Sequence, residues 1–363
     1  MEIRLWYGLI DLIPNHLKVK KYMKKLITVL LACLIVGAST ICIADTLDDA
    51  NEAYIKGNYE LAIKLFKPLA LSGNTEAQSS LGSLYEMGQG TKQNYAEAIK
   101  WYKLAAEKGD TEAQVSLGGL YDLGRGAKQN YTEAIKWYKL AADKGDTEAQ
   151  VSLGVLYDSG NGIKQNYTEA MKLYKLAADK GNELALSNLG VMYDLGRGAK
   201  QNYAEAMKLY KLAADKGYAE AQYNLATMYF KAKGVAQNYS EAVKWYKLAA
   251  AQGLTEAEQD LGVCYYIGRG VTQSYDEAFR LYQLAAFKGN PNAQSNVGNS
   301  YYYGEGVKQD FIKAYMWFEL SVGNGYLRSA QYKLDVAKKM TAQQIVEAQK
   351  LAKECLAKNY RSC

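Results

Sequence analysis

Apolar and polar residues alternate along this chain with helical spacing, in two distinct registers that take turns. In residues 112–123 the apolar positions are Ala113, Leu117, Leu120 and Tyr121, at offsets of four, three and one, which place them on one helical face. Residues 131–145 carry a second face, Tyr131, Ala134, Ile135, Tyr138 and Ala141, and end at Gly145. The pattern predicts a helix over 112–123, a break at Gly124-Arg125-Gly126, a second helix opening at Asn130, and a stop at Gly145 in the left-handed conformation that glycine adopts at little cost. Thr111 with Gln114, Thr75 with Gln78 and Thr147 with Gln150 have the spacing of a capping box, as does Asn130 with Glu133.

This helix pair returns along the chain without insertion or deletion. Gly73, Gly109, Gly145, Gly181, Gly217, Gly253, Gly289 and Gly325 stand 36 residues apart, so seven full units occupy residues 73–324. A second ladder, Gly82, Gly118, Gly154, Gly190, Ala226, Gly262 and Gly298, admits only small residues and predicts a close helix crossing in every unit. Helices of about a dozen residues are marginal alone, so stacking of one unit on the next must stabilise them. The expected fold is all-α: an α-solenoid of 36-residue helix-turn-helix repeats. Residues 45–72 read as an N-terminal capping repeat with a polar helix at 48–56, and residues 325–363 as C-terminal capping helices over 327–339 and 341–358.

The motif then acquires a family likeness. Ala113-x3-Leu117-Gly118-x2-Tyr121-x2-Gly124-x-Gly126, followed by Asn130-Tyr131-x-Glu133-Ala134-x2-Trp137-Tyr138-x2-Ala141-Ala142-x2-Gly145, resembles the Sel1-like repeat, a relative of the tetratricopeptide repeat. The likeness covers residues 45–358. It implies a right-handed superhelix acting as an adaptor for other proteins, in bacteria often an exported one. A cysteine-rich subset with a cysteine pair in each repeat is associated with penicillin binding, and this chain has no such pair.

Charge and leader refine the picture. Of 44 basic and 38 acidic residues, six basic (Arg4, Lys18, Lys20, Lys21, Lys24, Lys25) and two acidic (Glu2, Asp11) fall in residues 1–44, so the remainder is nearly balanced and gives no reason to expect a nucleic-acid partner. Lys24-Lys25, the uncharged run 26–44 and the small-x-small ending Cys42-Ile43-Ala44 predict a signal peptide cleaved after Ala44, hence a periplasmic or secreted protein. Translation from Met1 or from Met23 both fit. An uncleaved membrane anchor is the alternative, and would be the only membrane contact; the Cys33 lipoprotein-like box is a weaker one.

Candidate chemistry is sparse. His16, the single histidine, lies in the leader, which removes histidine-based nucleophile pairs and metal sites from residues 45–363, and no cofactor or metal is expected. Cys264 replaces leucine or methionine of other units and reads as core, whereas Cys355 and Cys363 are placed to pair. The Gly-x-Gly stretches follow helices and read as turns, not phosphate loops. Lys100, Lys136, Lys172, Lys208 and Lys244, with Lys103 and its counterparts, form stripes interleaved with Glu97, Glu133 and Glu169, a mixed-charge solvent face.

Positions that vary inside the fixed frame are the expected partner-binding residues. One first-helix slot reads Glu86, Asp122, Asp158, Asp194, Phe230, Tyr266, Tyr302; another, seven residues earlier, reads Ser79, Val115, Val151, Ser187, Tyr223, Gln259, Ser295. First helices line the concave side of helical-repeat solenoids, so Glu86, Asp122, Asp158, Asp194, Phe230, Tyr266, Tyr302 and Tyr223 are assigned to a wall that turns from acidic to aromatic and holds a protein or peptide. No catalytic set is assigned: a repeat step of about 10 Å separates Asp122, Asp158 and Asp194 too widely for a retaining carboxylate pair. A cell-wall-directed hydrolase and a purely structural envelope protein are the alternatives.

Overall fold

The computed structural model describes residues 46–360 and Cys363. The signal-peptide and start-site expectations lie outside those residues. The described residues form 18 helices and no strand, alternating between first (A) and second (B) helices of each repeat. They group into two compact units, divided between Ala141 and Ala142. In the first unit the A-helices are Leu47–Ile55, Thr75–Met87 and Thr111–Leu123, and the B-helices are Tyr59–Leu71, Tyr95–Glu107 and most of Tyr131–Asp143. The second unit contains A-helices Thr147–Ser159, Glu183–Leu195, Ala219–Lys231, Thr255–Ile267, Pro291–Tyr303 and Ser329–Ala337. Its B-helices are Tyr167–Asp179, Tyr203–Asp215, Tyr239–Ala251, Tyr275–Phe287, Phe311–Gly323 and Ala342–Ala357. Within the units successive helices pack on one another, and the last two, Ser329–Ala337 and Ala342–Ala357, both pack on Phe311–Gly323, which is α-solenoid organisation built from 36-residue repeats.

The small-residue ladder works as expected, and its partner is an aromatic ring. A Cβ at Gly190 would stand 2.7 Å from the ring of Tyr210, so the B-helix tyrosine lies flat on the A-helix backbone. Tyr210 is 2 % exposed there, and Tyr174 1 %. Two glycines with different duties make the turn that follows. Gly196 ends its A-helix at φ 67°, while a Cβ on Gly198 would meet the Tyr167 carbonyl oxygen of the preceding repeat at 2.7 Å. Gly145 closes its B-helix at φ 88°, as the sequence predicts.

The capping boxes are a correction. Thr111 is the first helical residue, and the cap is Asp110, whose Oδ1 accepts from Ala113 N at 2.7 Å. Gln114 reaches instead into the core, where its amide donates to Ala106 O of the preceding B-helix at 3.0 Å. Gln78 and Gln150 do the same with Ala70 and Ala142. That carbonyl lies at a B-helix end, where it already accepts from the N–H of the glycine three residues on (Gly109 to Ala106 O at 3.0 Å), and the buried glutamine amide fills its second acceptor position. Asn130 does cap, accepting from Glu133 N at 3.2 Å.

The last helices are Ser329–Ala337 and Ala342–Ala357. Thr341 and Gln344 form a true capping box, and Cys355 and Cys363 form a disulfide. Cys264 is fully buried and free, its thiol pushed up to about 12 by burial. Among the described residues no helix is long and apolar enough to cross a membrane.

Candidate functional site

Every residue expected on the variable wall is half-buried, and Glu86, Asp158, Asp194, Phe230, Tyr266, Tyr302 and Tyr223 make side-chain contacts within the chain. In the first unit, Glu86 accepts from the Tyr102 hydroxyl at 2.9 Å. Asp122 is held above the ordinary carboxylate range by burial. In the second unit the slot is tied to the Gly-x-Gly turn of the following repeat, 39 residues on. Asp158 faces Arg197 at 3.8 Å and Asp194 faces Lys233 at 3.2 Å. Tyr266 donates to Glu305 at 2.9 Å, and its phenol is pushed up to about 12, first by burial and then by that carboxylate. Phe230 packs edge-on against Tyr239 at 5.1 Å, with Arg269 over the ring of Tyr239 at 5.2 Å. Tyr302 lies 5.7 Å from Phe311, with the Lys339 ammonium 4.6 Å from its centroid. The middle residues of four turns, Arg197, Lys233, Arg269 and Glu305, are thus inter-repeat contacts.

The second slot is largely seam and not open wall, which corrects the expectation that it stands outside the core. Ser79, Val115, Val151, Ser187 and Ser295 are all at most 9 % exposed. Ser295 accepts from Ser329 at 2.9 Å, and Tyr223 donates to Asp260 at 3.1 Å; both bonds run to the next A-helix. Of the eight assigned residues, Tyr223 and Phe230 meet around Tyr246, at 5.7 and 6.4 Å, while the acids stand apart, each with its own neighbours.

What the structure adds is a cleft of about 330 Å³ on the A-helix side of the second unit, lined by Val263, Tyr266, Tyr282, Asn296, Asn299, Tyr303 and Tyr332. Three successive A-helices supply its sides, and Tyr282, 3 % exposed, supplies its floor. Burial pushes the Tyr282 phenol well above its ordinary value, so it is protonated and able to donate. Tyr303 and Tyr332 are 62 % and 42 % exposed, whereas Asn296 and Asn299 are half-buried. Among the described residues neither amide makes a hydrogen bond. Their polar atoms are open to water in the free cleft, and a bound main chain can take the place of that water.

Of the assigned wall residues, Tyr266 alone lines this cleft, and Tyr302 supports it through Tyr303, ring to ring at 4.8 Å. A signal for the others was present: Asn299 stands where other repeats have Val155, Val191 and Val263, Tyr303 where they have Leu123, Leu195 and Ile267, and Tyr332 one period beyond Asn296. Positions 296, 299 and 303 are three and four apart and share a face.

The lysine stripe is neutralised residue by residue. Lys100, Lys136, Lys172, Lys208 and Lys244 each pair with the glutamate three before, at 3.3–3.6 Å. Among the described residues no group of His, Cys, Asp and Glu is placed to hold a metal ion.

Stacked helix pairs with a neutral aromatic cleft on one helix face define a repeat scaffold. The Sel1 repeat family model matches residues 51–74, 75–110, 111–146, 147–182, 184–218, 219–254, 255–290 and 291–326, and the chain belongs to that family. In class it is therefore a protein–protein interaction scaffold. It is similar to a Sel1 repeat protein from Oxalobacter formigenes, with 34% identity over 65% of this chain and 94% of that one, at a TM-score of 0.62. A protective antigen of uropathogenic Escherichia coli strains, displaying an SLR fold, is 27% identical over 86% of each chain, at a TM-score of 0.42. An immunity protein of Pseudomonas aeruginosa is 22% identical over 58% of this chain and 81% of that one, at 0.41. No curated protein matches the chain.

Proposed function

We propose that this protein is an exported, non-catalytic adaptor that holds an extended segment of a partner protein along the A-helix wall, the concave side, of its second unit. The observation that carries this reading is the cleft itself: two amides without partners, Asn296 and Asn299, set among the rings of Tyr266, Tyr303 and Tyr332. Aromatic anchors in a pocket dominate protein recognition, and amides fix the register of a bound main chain. Asp158, Asp194, Phe230 and Tyr302 extend the same wall, and Glu86 and Asp122 repeat the slot in the first unit. The wall carboxylates support a non-catalytic role, since Asp158 and Asp194 are each committed to a cation of the following turn.

A photo-crosslinking side chain placed at Asn299, and in a second strain at Lys244 on a B-helix, tests the site in living cells. The expected result is one discrete protein adduct from position 299 and none from 244. Equal yields from both positions, or none from either, overturn the wall reading. Export is tested separately by sequencing the N-terminus of the protein from envelope and medium fractions: a chain beginning at Asp45 is expected. One that retains its leader and pellets with membranes indicates the anchored form, and one confined to the cytoplasm overturns export.

A further inference from the structure

We infer that the segment taken by this cleft is proline-rich and bound as a polyproline II helix, an inference that rests on the wall reading above. None of the seven lining residues carries a formal charge, and the Glu305 carboxylate beside Tyr266 is taken up by that hydroxyl at 2.9 Å, so an ionic group gains no counter-ion from the lining. The ligand chemistry is therefore neutral. The lining is unusual in what it offers: tyrosine rings on both sides, two amide groups without partners, and the protonated Tyr282 hydroxyl at the floor.

Three kinds of neutral segment can be weighed against that offer. An α-helix satisfies its own carbonyls and leaves little for Asn296 and Asn299 to bond. A β-segment carries N–H groups along both edges; the two asparagine oxygens can accept only a few of them, and an all-helical wall has no strand edge to receive the rest. A polyproline II segment has no internal hydrogen bonds, projects solvated carbonyls, and lacks N–H groups wherever it has proline, so it requires donors and flat apolar faces. Amide and phenol groups are those donors, and tyrosine rings are those faces.

Dimensions agree. Three A-helices abreast, at 8–10 Å between axes, span about 20 Å, which a polyproline II helix rising 3.1 Å per residue crosses in about six residues. Such a segment is ordered before it binds and loses little entropy on docking, which suits a shallow cleft with few hydrogen bonds.

The test is fluorescence anisotropy of a dye-labelled decaproline peptide titrated with the full chain to about 1 mM, with a Gly-Ser decapeptide and chitotetraose as competitors. Saturable binding is expected, unaffected by either competitor. It should weaken about tenfold or more in the double variant Asn296→Ala/Asn299→Ala, which removes two hydrogen bonds. A similar loss is expected in Tyr303→Ala, whose exposed ring the fold does not need. Circular dichroism should be unchanged in both. Decaproline binding that both variants retain overturns the assignment of the site. Competition by chitotetraose identifies a saccharide cleft and overturns the peptide. If decaproline fails to bind while the Asn299 crosslink still traps a protein, this inference falls and the wall reading stands; if both fail, both fall.

Discussion

Ala232 ends its A-helix at φ 56°, in the left-handed region where Gly88, Gly124, Gly160, Gly196, Gly268 and Gly304 end theirs. A Cβ in that region crowds the following carbonyl and costs about 1–2 kcal/mol, of which glycine gives back part through its freer unfolded chain. Ala232→Gly is therefore expected to stabilise the protein by about 1 kcal/mol, raising the denaturant midpoint without changing the slope. An unchanged or lower midpoint would show that the strain is relieved elsewhere in the turn. The neighbouring Lys233 explains why the loop keeps its course without the glycine: its ammonium binds Asp194 and lies 5.7 Å from the ring centroid of Tyr203 in the preceding repeat.

Between elements, the repeats are bolted by one recurring contact. The residue just after a B-helix donates to the glycine carbonyl 35 residues earlier: Lys108 to Gly73 and Lys180 to Gly145 at 2.6 Å, Gln252 to Gly217 at 2.9 Å, Lys288 to Gly253 at 2.8 Å. Gln252 also binds Gln222, the buried glutamine whose amide serves the previous B-helix. Glu258 occupies that glutamine slot at 3 % exposure and differs: one oxygen takes Lys288 at 2.7 Å, and the other has no partner. Glu258→Gln adds a second donor to Ala250 O, which now accepts from Gly253 N at 2.9 Å, and removes a buried charge, so a gain of about 1 kcal/mol is expected. Lys288→Ala should cost about 3 kcal/mol or more in the parent, where it strands a buried carboxylate, and about 1 kcal/mol in Glu258→Gln. Equal costs in a thermodynamic cycle would sink the coupling. These ties also mark the limit of what the chain reveals when read linearly. Periodicity places the helices to within a residue or two, since Glu112–Leu123 was expected and Thr111–Leu123 observed. It also finds the Tyr266 slot. It does not show that Asp158 and Asp194 are half-consumed, because their partners lie 39 residues away in turns whose middle residue looks free to vary. Nor does it show the cleft, because the Asn299 and Tyr303 slots already vary along the chain, with Ser83, Gly119 and Thr227 in the one and Ser159 and Lys231 in the other, so a further departure reads as noise.

For the second unit as a whole, nearest-neighbour bonding means that a repeat can be removed in register and not otherwise. Deleting residues 183–218 joins Asn182 to Ala219. Asn182, which now caps the Glu183–Leu195 helix, would cap Ala219–Lys231, whose present N-cap Tyr218 makes no side-chain bond. Asp158 would meet Lys233 in place of Arg197, Gln222 would find Ala178 O in place of Ala214 O, and Gln252 would find Gly181 in place of Gly217. Every lost contact has an equivalent, so the shortened chain is expected to keep its helical content per residue and to unfold cooperatively at a modestly lower midpoint. Deleting residues 183–200 instead sets one B-helix after another, strands the Tyr210 ring without its glycine, and should yield an aggregated or largely unfolded chain. Circular dichroism and denaturant unfolding of the two deletions distinguish them. Because the cleft draws only on residues 263–332, the in-register deletion should also retain the Asn299 crosslink. A well-folded deletion that loses the adduct would mean that recognition needs the wall upstream of Tyr266, extending the binding surface to the acidic slots of Asp158 and Asp194.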